Sequence, residues 1–212
     1  EQILEFGADH VVLAAGSSWR RTGEGHWHTS PIEGAETARL YTPDDLMTGK
    51  LPEGPVLLFD DDHYYMGGLL AEKLRALDIE VTLVTPESKA SLYTENTEEH
   101  PRIQARLIEI GVKLELNTGL DSLSDGYASL ACAYTEQTRE MKADEIVLVT
   151  SREPNDGLYR TLSSQIPITR IGDCLAPSTI AAAVYSGHRF AREFDEPPHT
   201  NVPFKRERVG PC

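Results

Sequence analysis

The sequence is short of cysteine, of basic residues and of long apolar runs. Its three cysteines, Cys132, Cys174 and Cys212, lie far apart and form no C-x-x-C pair. An odd number of isolated cysteines argues against a disulfide framework and against a zinc or iron–sulfur centre made by this chain alone. A reducing, cytoplasmic location is therefore expected.

Positive charge is scarce, because 20 Lys and Arg are set against 34 Asp and Glu, giving a net charge of −14. This balance excludes nucleic acid and anionic membrane surfaces from the expected partners. No apolar run is long enough to cross a bilayer, and no signal-peptide pattern is present. The 212 residues, 40% hydrophobic, suit a soluble protein with one core or two small ones.

The sequence also lacks a glycine-rich phosphate loop where one is expected. Residues 56–84 predict a strand–helix–strand unit that begins with the apolar run VLLF at 56–59. A dinucleotide-binding version needs G-x-G-x-x-G in the first turn, so that the backbone can approach a pyrophosphate. Here residues 60–63 read DDDH, and three carboxylates would repel a pyrophosphate. The pattern predicts a retained scaffold that has lost its dinucleotide.

No metal site or catalytic set is predicted. The carboxylates at 60–62 suit Mg²⁺ or Ca²⁺ chemically, but adjacent residues of one turn rarely face one point. The favoured interpretation is a solvated helix start, where negative charge faces the helix dipole. His26 and His28 lie at strand spacing without a third ligand nearby, so a glycine-rich loop is the simpler account. No Ser/His/Asp or Cys/His set has supporting context such as a G-x-S-x-G elbow.

The remaining pattern alternates between helix and strand. Helix 97–110 is followed by three short strands of a predicted meander, at 113–117, 127–134 and 139–142. A buried strand at 145–150, a weaker strand at 166–171 and a last helix at 178–194 complete the prediction.

Several ordered motifs resemble a known group of flavoproteins. A strand ending AAG at 14–16, TSR at 150–152 and IGD at 171–173 resemble the C-terminal half of the pyridine nucleotide–disulfide reductase type. The runs TPDDLMTGK, GHR and PFKRE resemble trimethylamine and dimethylamine dehydrogenases, and the related N-methyl amino acid demethylases, more closely. These similarities extend over nearly the whole chain.

The resemblance implies an α/β fold with two Rossmann-like, three-layer units of the FAD/NAD(P)-binding type. The first unit, residues 1–50 and 153–212, is expected to be a discontinuous and incomplete FAD/ADP-binding-type domain. The second, residues 51–152, is expected to be an NAD(P)-binding-like domain inserted into the first, with a degenerate glycine-rich loop.

The resemblance also implies a larger enzyme. Its N-terminal barrel would hold FMN and be followed by a 4Fe–4S cluster, both expected only in a part missing from this chain. The enzyme would oxidise N-methylated amines and pass electrons to an electron-transferring flavoprotein. This chain is expected to be a C-terminal fragment that is inactive by itself and is either nucleotide-binding or structural, with only a half-site for FAD or ADP. It is also expected to contact its own barrel domain and to belong to a homo-oligomer.

Six positions are expected to contact the nucleotide, on the same resemblance: Gly16, Ser17, Trp19, Gly172, Asp173 and Thr179. Asp173 would hydrogen-bond a ribityl hydroxyl, and Trp19 would cover an adenine or a flavin. A helix-approach aspartate, a turn glycine and a packing tryptophan are the plainer alternatives.

Two other functions remain open at this point. An NAD(P)H-dependent flavin oxidoreductase of the dienoyl-CoA reductase kind would show NADPH affinity, which the acidic turn opposes. A free-standing, non-catalytic interaction module would co-purify with a separate barrel protein.

Overall fold

The computed structural model describes residues 1–195, which fall into two compact units. The smaller unit combines Glu1–Ser17 with the residues from Pro154 onward, and the larger unit is Ser18–Glu153. Residues 18–50 therefore group by contacts with the larger unit, while the domain boundary at residue 51 stays a prediction. Within residues 1–195, no helix has the length and apolar character needed to cross a membrane.

The elements are numbered here in chain order over the described residues. The strands are β1 (Val11–Leu13), β2 (Ser17–Trp19), β3 (Leu40–Tyr41), β4 (Val56–Asp60), β5 (Val81–Val84), β6 (Lys113–Glu115), β7 (Thr118–Ser124), β8 (Tyr127–Cys132), β9 (Thr138–Lys142), β10 (Glu145–Val149), β11 (Arg152–Pro154) and β12 (Ile168–Arg170). The α-helices are α1 (Gln2–Glu5), α2 (Pro43–Met47), α3 (Tyr65–Arg75), α4 (His100–Glu109), α5 (Gly157–Leu162) and α6 (Ile180–Glu193). Two 3₁₀ helices span Leu92–Thr97 and Gly172–Cys174.

The core of the larger unit is a five-stranded parallel sheet with the strand order β3–β10–β4–β5–β6. Strands β4 and β10 are buried at every position, as their continuous apolar runs predict. Their side chains alternate between two faces, so that Leu58 and Val147 pack in one core cluster while Phe59 and Leu148 pack in another. The prediction of an α/β fold with parallel strands is confirmed.

Helix α3 connects β4 to β5 and completes the predicted strand–helix–strand unit. It buries Leu70, Ala71 and Leu74 in the same cluster as Leu58. The short helix α2 begins at the N-cap Thr42, whose hydroxyl accepts a hydrogen bond from an amide in the first turn. Helix α3 lies where the strand–helix–strand pattern predicts it.

The predicted meander has different members from those expected. Strand β6 pairs in parallel with β5 and belongs to the main sheet, so its assignment to the meander was wrong. The antiparallel meander is β7–β8–β9. Strand β7 reads TGLDSLS, and its buried leucines, Leu120 and Leu123, lie three residues apart across a register irregularity, so the sequence shows no strict apolar alternation.

The smaller unit is built on a two-stranded parallel sheet. Strand β1 pairs with β12 in the register Val11 to Ile168. Among the described residues of this unit, the buried apolar side chains are those of Leu13, Leu162 and Cys174. Parallel strands are normally covered on both faces, so this small core is well below what a two-faced parallel sheet requires.

Candidate functional site

The smaller unit brings together most of the residues predicted to contact a nucleotide. Gly172 follows β12 with φ +60°, in the left-handed region that favours glycine, and opens the turn that carries Asp173. The Gly172 amide donates a hydrogen bond of 3.0 Å to the Ser186 hydroxyl of α6. Elsewhere in the smaller unit, the carbonyl oxygen of Gly16 accepts a hydrogen bond of 3.0 Å from the amide of Asn155.

The Asp173 carboxylate is held by two donors of the same unit. The Ser17 hydroxyl donates to Oδ2 at 3.2 Å, and the Ser178 amide donates to Oδ1 at 3.2 Å. Two predicted site residues, Ser17 and Asp173, are therefore hydrogen-bonded to each other. A carboxylate accepts hydrogen bonds only, so Asp173 has the chemistry to accept one from a ligand hydroxyl.

Helix α6 begins beside this turn and presents an uncovered first turn. Thr179 is its N-cap, with Oγ1 accepting from the Ala182 amide at 3.4 Å. Ile180 in this first turn is 85% exposed, and Val184 and Tyr185 farther along the helix are 66% and 56% exposed. The N-terminus of a fourteen-residue helix favours a nearby anion, and among the described residues the exposed Ile180 leaves this first turn accessible.

Trp19 belongs to the larger unit, whereas the other five predicted residues belong to the smaller unit. Its amide donates to the Asp44 carboxylate at 2.8 Å, and the guanidinium of Arg152 lies 5.4 Å from its ring centroid. Its indole packs against the core cluster of α2, α3 and the main sheet. These contacts give Trp19 a packing role within the larger unit, and its contact with a nucleotide stays a prediction.

The acidic turn, which we define as residues 60–63, is not the solvated helix start that the sequence predicted. Asp60 and Asp61 are completely buried and His63 is 2% exposed. The prediction of solvation was wrong because the turn faces another segment of the chain, the loop Gly25–His28, and not water. We call this segment the His–Trp loop.

Asp61 fixes the His–Trp loop by accepting two backbone hydrogen bonds. Its Oδ2 accepts from the amide of His26 at 2.5 Å and from the amide of Trp27 at 2.9 Å. The loop approaches so closely that a Cβ atom at Gly25 would overlap the Asp61 carboxylate. Of the two histidines in this segment, His26 contributes its backbone amide, while His28 Nε2 lies 2.5 Å from the Leu120 carbonyl oxygen. In residues 1–195 no group of three metal-binding side chains is present.

Asp60 ends β4, at the turn toward α3 where a dinucleotide-binding pattern would have its glycine-rich loop. Its Oδ1 accepts from the His63 amide at 3.1 Å, and its carboxylate lies against the backbone of Gly67 in the first turns of α3. Burial is the main reason that the pKa of Asp60 is raised to about 7. At this position a dinucleotide would meet buried carboxylates in place of backbone amides.

His63 completes the cluster, with φ +59° and a ring stacked on His26 at a centroid distance of 5.7 Å. Its Nε2 lies 3.5 Å from Asp61 Oδ1, within ion-pair distance. Burial opposes the charged form of His63, but the neighbouring carboxylates of Asp61 and Asp60 outweigh it and raise its pKa. The cluster is thus an internal acid–histidine group that fills the dinucleotide position.

Comparison with known proteins supports a family assignment for the chain. Residues 41–143 match the family model of the OYE-like second alpha/beta domain. The chain is 31% identical to dimethylamine dehydrogenase from Hyphomicrobium sp. (strain x), in an alignment that covers 98% of this chain and 32% of that protein.

Two solved structures are similar over most of the chain. Histamine dehydrogenase from Rhizobium sp. 4-9 is 37% identical with a TM-score of 0.91, covering 99% of this chain and 34% of that one. The 6-hydroxypseudooxynicotine amine oxidase from Pseudomonas geniculata N1 is 34% identical with a TM-score of 0.86, covering 90% of this chain and 30% of that one. The chain spans about a third of the length of these relatives. It belongs to the trimethylamine and dimethylamine dehydrogenase family of old yellow enzyme-type oxidoreductases.

Proposed function

We propose that this chain is the C-terminal nucleotide-domain portion of a flavoprotein that oxidises N-methylated or related amines. The observation that carries this proposal is the similarity to amine dehydrogenases and an amine oxidase along 90–99% of the chain. In the longer protein, FMN and a 4Fe–4S cluster belong to the part outside this chain. Electrons then leave to an electron-transferring flavoprotein, in a cytoplasmic homo-oligomer.

The chain's own role in this proposal is to bind an adenine nucleotide, FAD or ADP, in the smaller unit. The Asp173 carboxylate, oriented by Ser17, accepts a hydrogen bond from a ribityl or ribose hydroxyl. The Gly16 and Gly172 turns allow the nucleotide to approach the protein backbone closely. Thr179 caps the helix N-terminus that faces a phosphate. The donor set and the open first turn of α6 fit such a group.

The two units are nested Rossmann-like domains of unequal function in this account. The larger unit, which includes the predicted domain 51–152, keeps the strand–helix–strand scaffold, and we expect it to bind no dinucleotide. Its acidic turn opposes the NAD(P)H-dependent alternative, because Asp60 and Asp61 fill the phosphate position. Its role is to support the nucleotide unit and the contacts of the chain with its own barrel domain.

Calorimetric titration of the 212-residue chain with ADP, FAD and NADPH tests the nucleotide role. We expect ADP or FAD to bind and NADPH to give no heat. Asp173→Ala should weaken ADP or FAD binding at least about tenfold, because one charge-assisted hydrogen bond is worth about 1.5–3 kcal/mol. The matched control is Asp9→Asn, an exposed carboxylate of the same unit, which should bind like the unmodified chain.

A separate assay tests the amine oxidation of the longer protein. We expect amine-dependent reduction of an artificial electron acceptor without NADH or NADPH. NADPH-dependent turnover of an enoyl-CoA substrate would contradict the proposal and favour the dienoyl-CoA reductase kind of enzyme.

A further inference from the structure

Three polar atoms in or beside the acidic turn are buried and make no hydrogen bond within residues 1–195: Asp60 Oδ2, Asp61 Oδ1 and, just after β10, Thr150 Oγ1. Of these, Asp61 Oδ1 lies 3.5 Å from His63 Nε2, at ion-pair distance. Thr150 Cβ and the Asp61 carboxylate both lie against Gly25 of the His–Trp loop. Buried polar atoms without partners are rare in native proteins and indicate a bound water or a transferable proton.

The cluster controls the position of a second segment through Asp61. The same carboxylate that lies beside His63 accepts hydrogen bonds from the amides of His26 and Trp27. The Trp27 indole in turn packs onto Gly119 of β7, where a Cβ atom would overlap its ring. The carboxylate of Asp61 therefore connects the main sheet to the meander through the His–Trp loop.

The charge of the cluster depends on two protons. With Asp60 protonated and His63 charged, the group Asp60, Asp61 and His63 is neutral. With both protons lost, two carboxylate charges lie buried side by side, which is unfavourable. Other titratable or charged groups also face the cluster: Asp62, Glu87, His26, Tyr93 and Arg152. Burial raises the pKa of Asp62 as well, and the Arg152 guanidinium opposes that rise.

We propose that the acidic turn is a proton-controlled latch on the His–Trp loop. With its protons in place, the turn holds the loop closed through Asp61. When the protons are lost, repulsion between the buried carboxylates loosens the turn, and the His26 and Trp27 amides leave their acceptor. This device is independent of nucleotide binding in the smaller unit.

The direction and size of the pH effect follow from Asp60. Its pKa of about 7 in the closed latch compares with about 3.9 for an exposed aspartate. A raised pKa stabilises the closed latch fully below pH 3.9, and this stabilisation is lost as the pH rises through 7. The opening equilibrium should therefore increase about 100-fold between pH 5 and pH 8. The raised pKa of His63 acts in the same direction.

Amide hydrogen exchange at His26 and Trp27 tests the latch in the full 212-residue chain. Protection is expressed relative to the intrinsic exchange rate at each pH. We expect protection of both amides to fall about 100-fold from pH 5 to pH 8, while the amide of Val147 in β10 stays protected. In Asp60→Asn the fall should shrink to less than about tenfold, because the amide still accepts from the His63 amide and carries no charge.

The matched control is Asp78→Asn, an exposed aspartate with φ +60° that asparagine also adopts, and it should behave like the unmodified chain. A second measurement, independent of the Asp60 variant, uses Trp19→Phe to leave Trp27 as the sole tryptophan. Its emission should shift to longer wavelength between pH 5 and pH 8. Constant protection at both amides together with unchanged Trp27 emission would overturn the latch, as would an Asp60→Asn chain that keeps the full 100-fold fall.

Discussion

Removing the Asp61 carboxylate tests the interpretation that the acidic turn serves the fold and not a ligand. In Asp61→Ala the amides of His26 and Trp27 lose their acceptor, and each unsatisfied buried amide costs about 1–3 kcal/mol. His26 is exposed as a residue, so water can reach part of this site. We therefore expect the free energy of unfolding of the larger unit to fall by about 2–4 kcal/mol.

The matched variant is Asp61→Asn, whose side-chain oxygen accepts both amides without the negative charge. We expect it to cost about 1 kcal/mol, well below the alanine variant. Urea unfolding followed by tryptophan fluorescence measures both, and it reports on the larger unit alone because Trp19 and Trp27 both lie in it. A loss below 1 kcal/mol in Asp61→Ala, or equal losses in the two variants, would refute the anchoring role.

Three further predictions concern the larger unit and use the same urea titration. Gly34→Ala should cost about 3 kcal/mol or more, because φ is +83° and a Cβ would overlap a neighbouring backbone carbonyl, whereas the open Gly54→Ala should change stability by less than about 0.5 kcal/mol; similar values for both would contradict this. Thr42→Ala should lower the free energy of unfolding by about 1 kcal/mol through loss of the α2 cap, and Thr42→Ser should keep most of the stability that the cap contributes. Arg39→Gln should lower the free energy of unfolding, because it leaves the buried Glu145 carboxylate without its cation, and adding Glu145→Gln should recover part of that loss; a double variant no more stable than Arg39→Gln would count against the ion pair.

The central sheet is predictable from sequence because its signals are local. The runs VLLF at 56–59 and IVLV at 146–149 are apolar throughout, and the strands that contain them are buried at every position. Helix α2 carries its own cap and first-turn proline. These features depend on residues within one turn or one strand, so a single sequence contains the information.

The solvation of the acidic turn was predicted incorrectly because its partners are distant in sequence. The amides that donate hydrogen bonds to Asp61 belong to His26 and Trp27, which lie 35 and 34 positions earlier in the chain. Three consecutive aspartates at a helix start ordinarily indicate exposure, since buried carboxylates are rare. A glycine-flanked loop that donates backbone amides has no side-chain signature, so no pattern in the sequence linked the two segments.

The candidate nucleotide site is intermediate between these cases. The IGD motif located Gly172 and Asp173, and the structure places the Ser17 hydroxyl within hydrogen-bond distance of that aspartate. Trp19 is only two residues from Ser17, yet it lies in the larger unit and packs in its core. Adjacent positions can thus belong to different units where the chain crosses between them, which a linear motif does not reveal.

The central claim is that nucleotide binding has been kept in the smaller unit and lost from the larger one. The most direct test is acid release of bound nucleotide from the purified 212-residue chain after equilibration with FAD, ADP and NADPH together, followed by chromatography and mass spectrometry. The account predicts FAD or ADP at close to one per chain, reduced in Asp173→Ala, and no NADPH. Bound NADPH, or FAD and ADP retained equally by the Asp173→Ala chain, would contradict it.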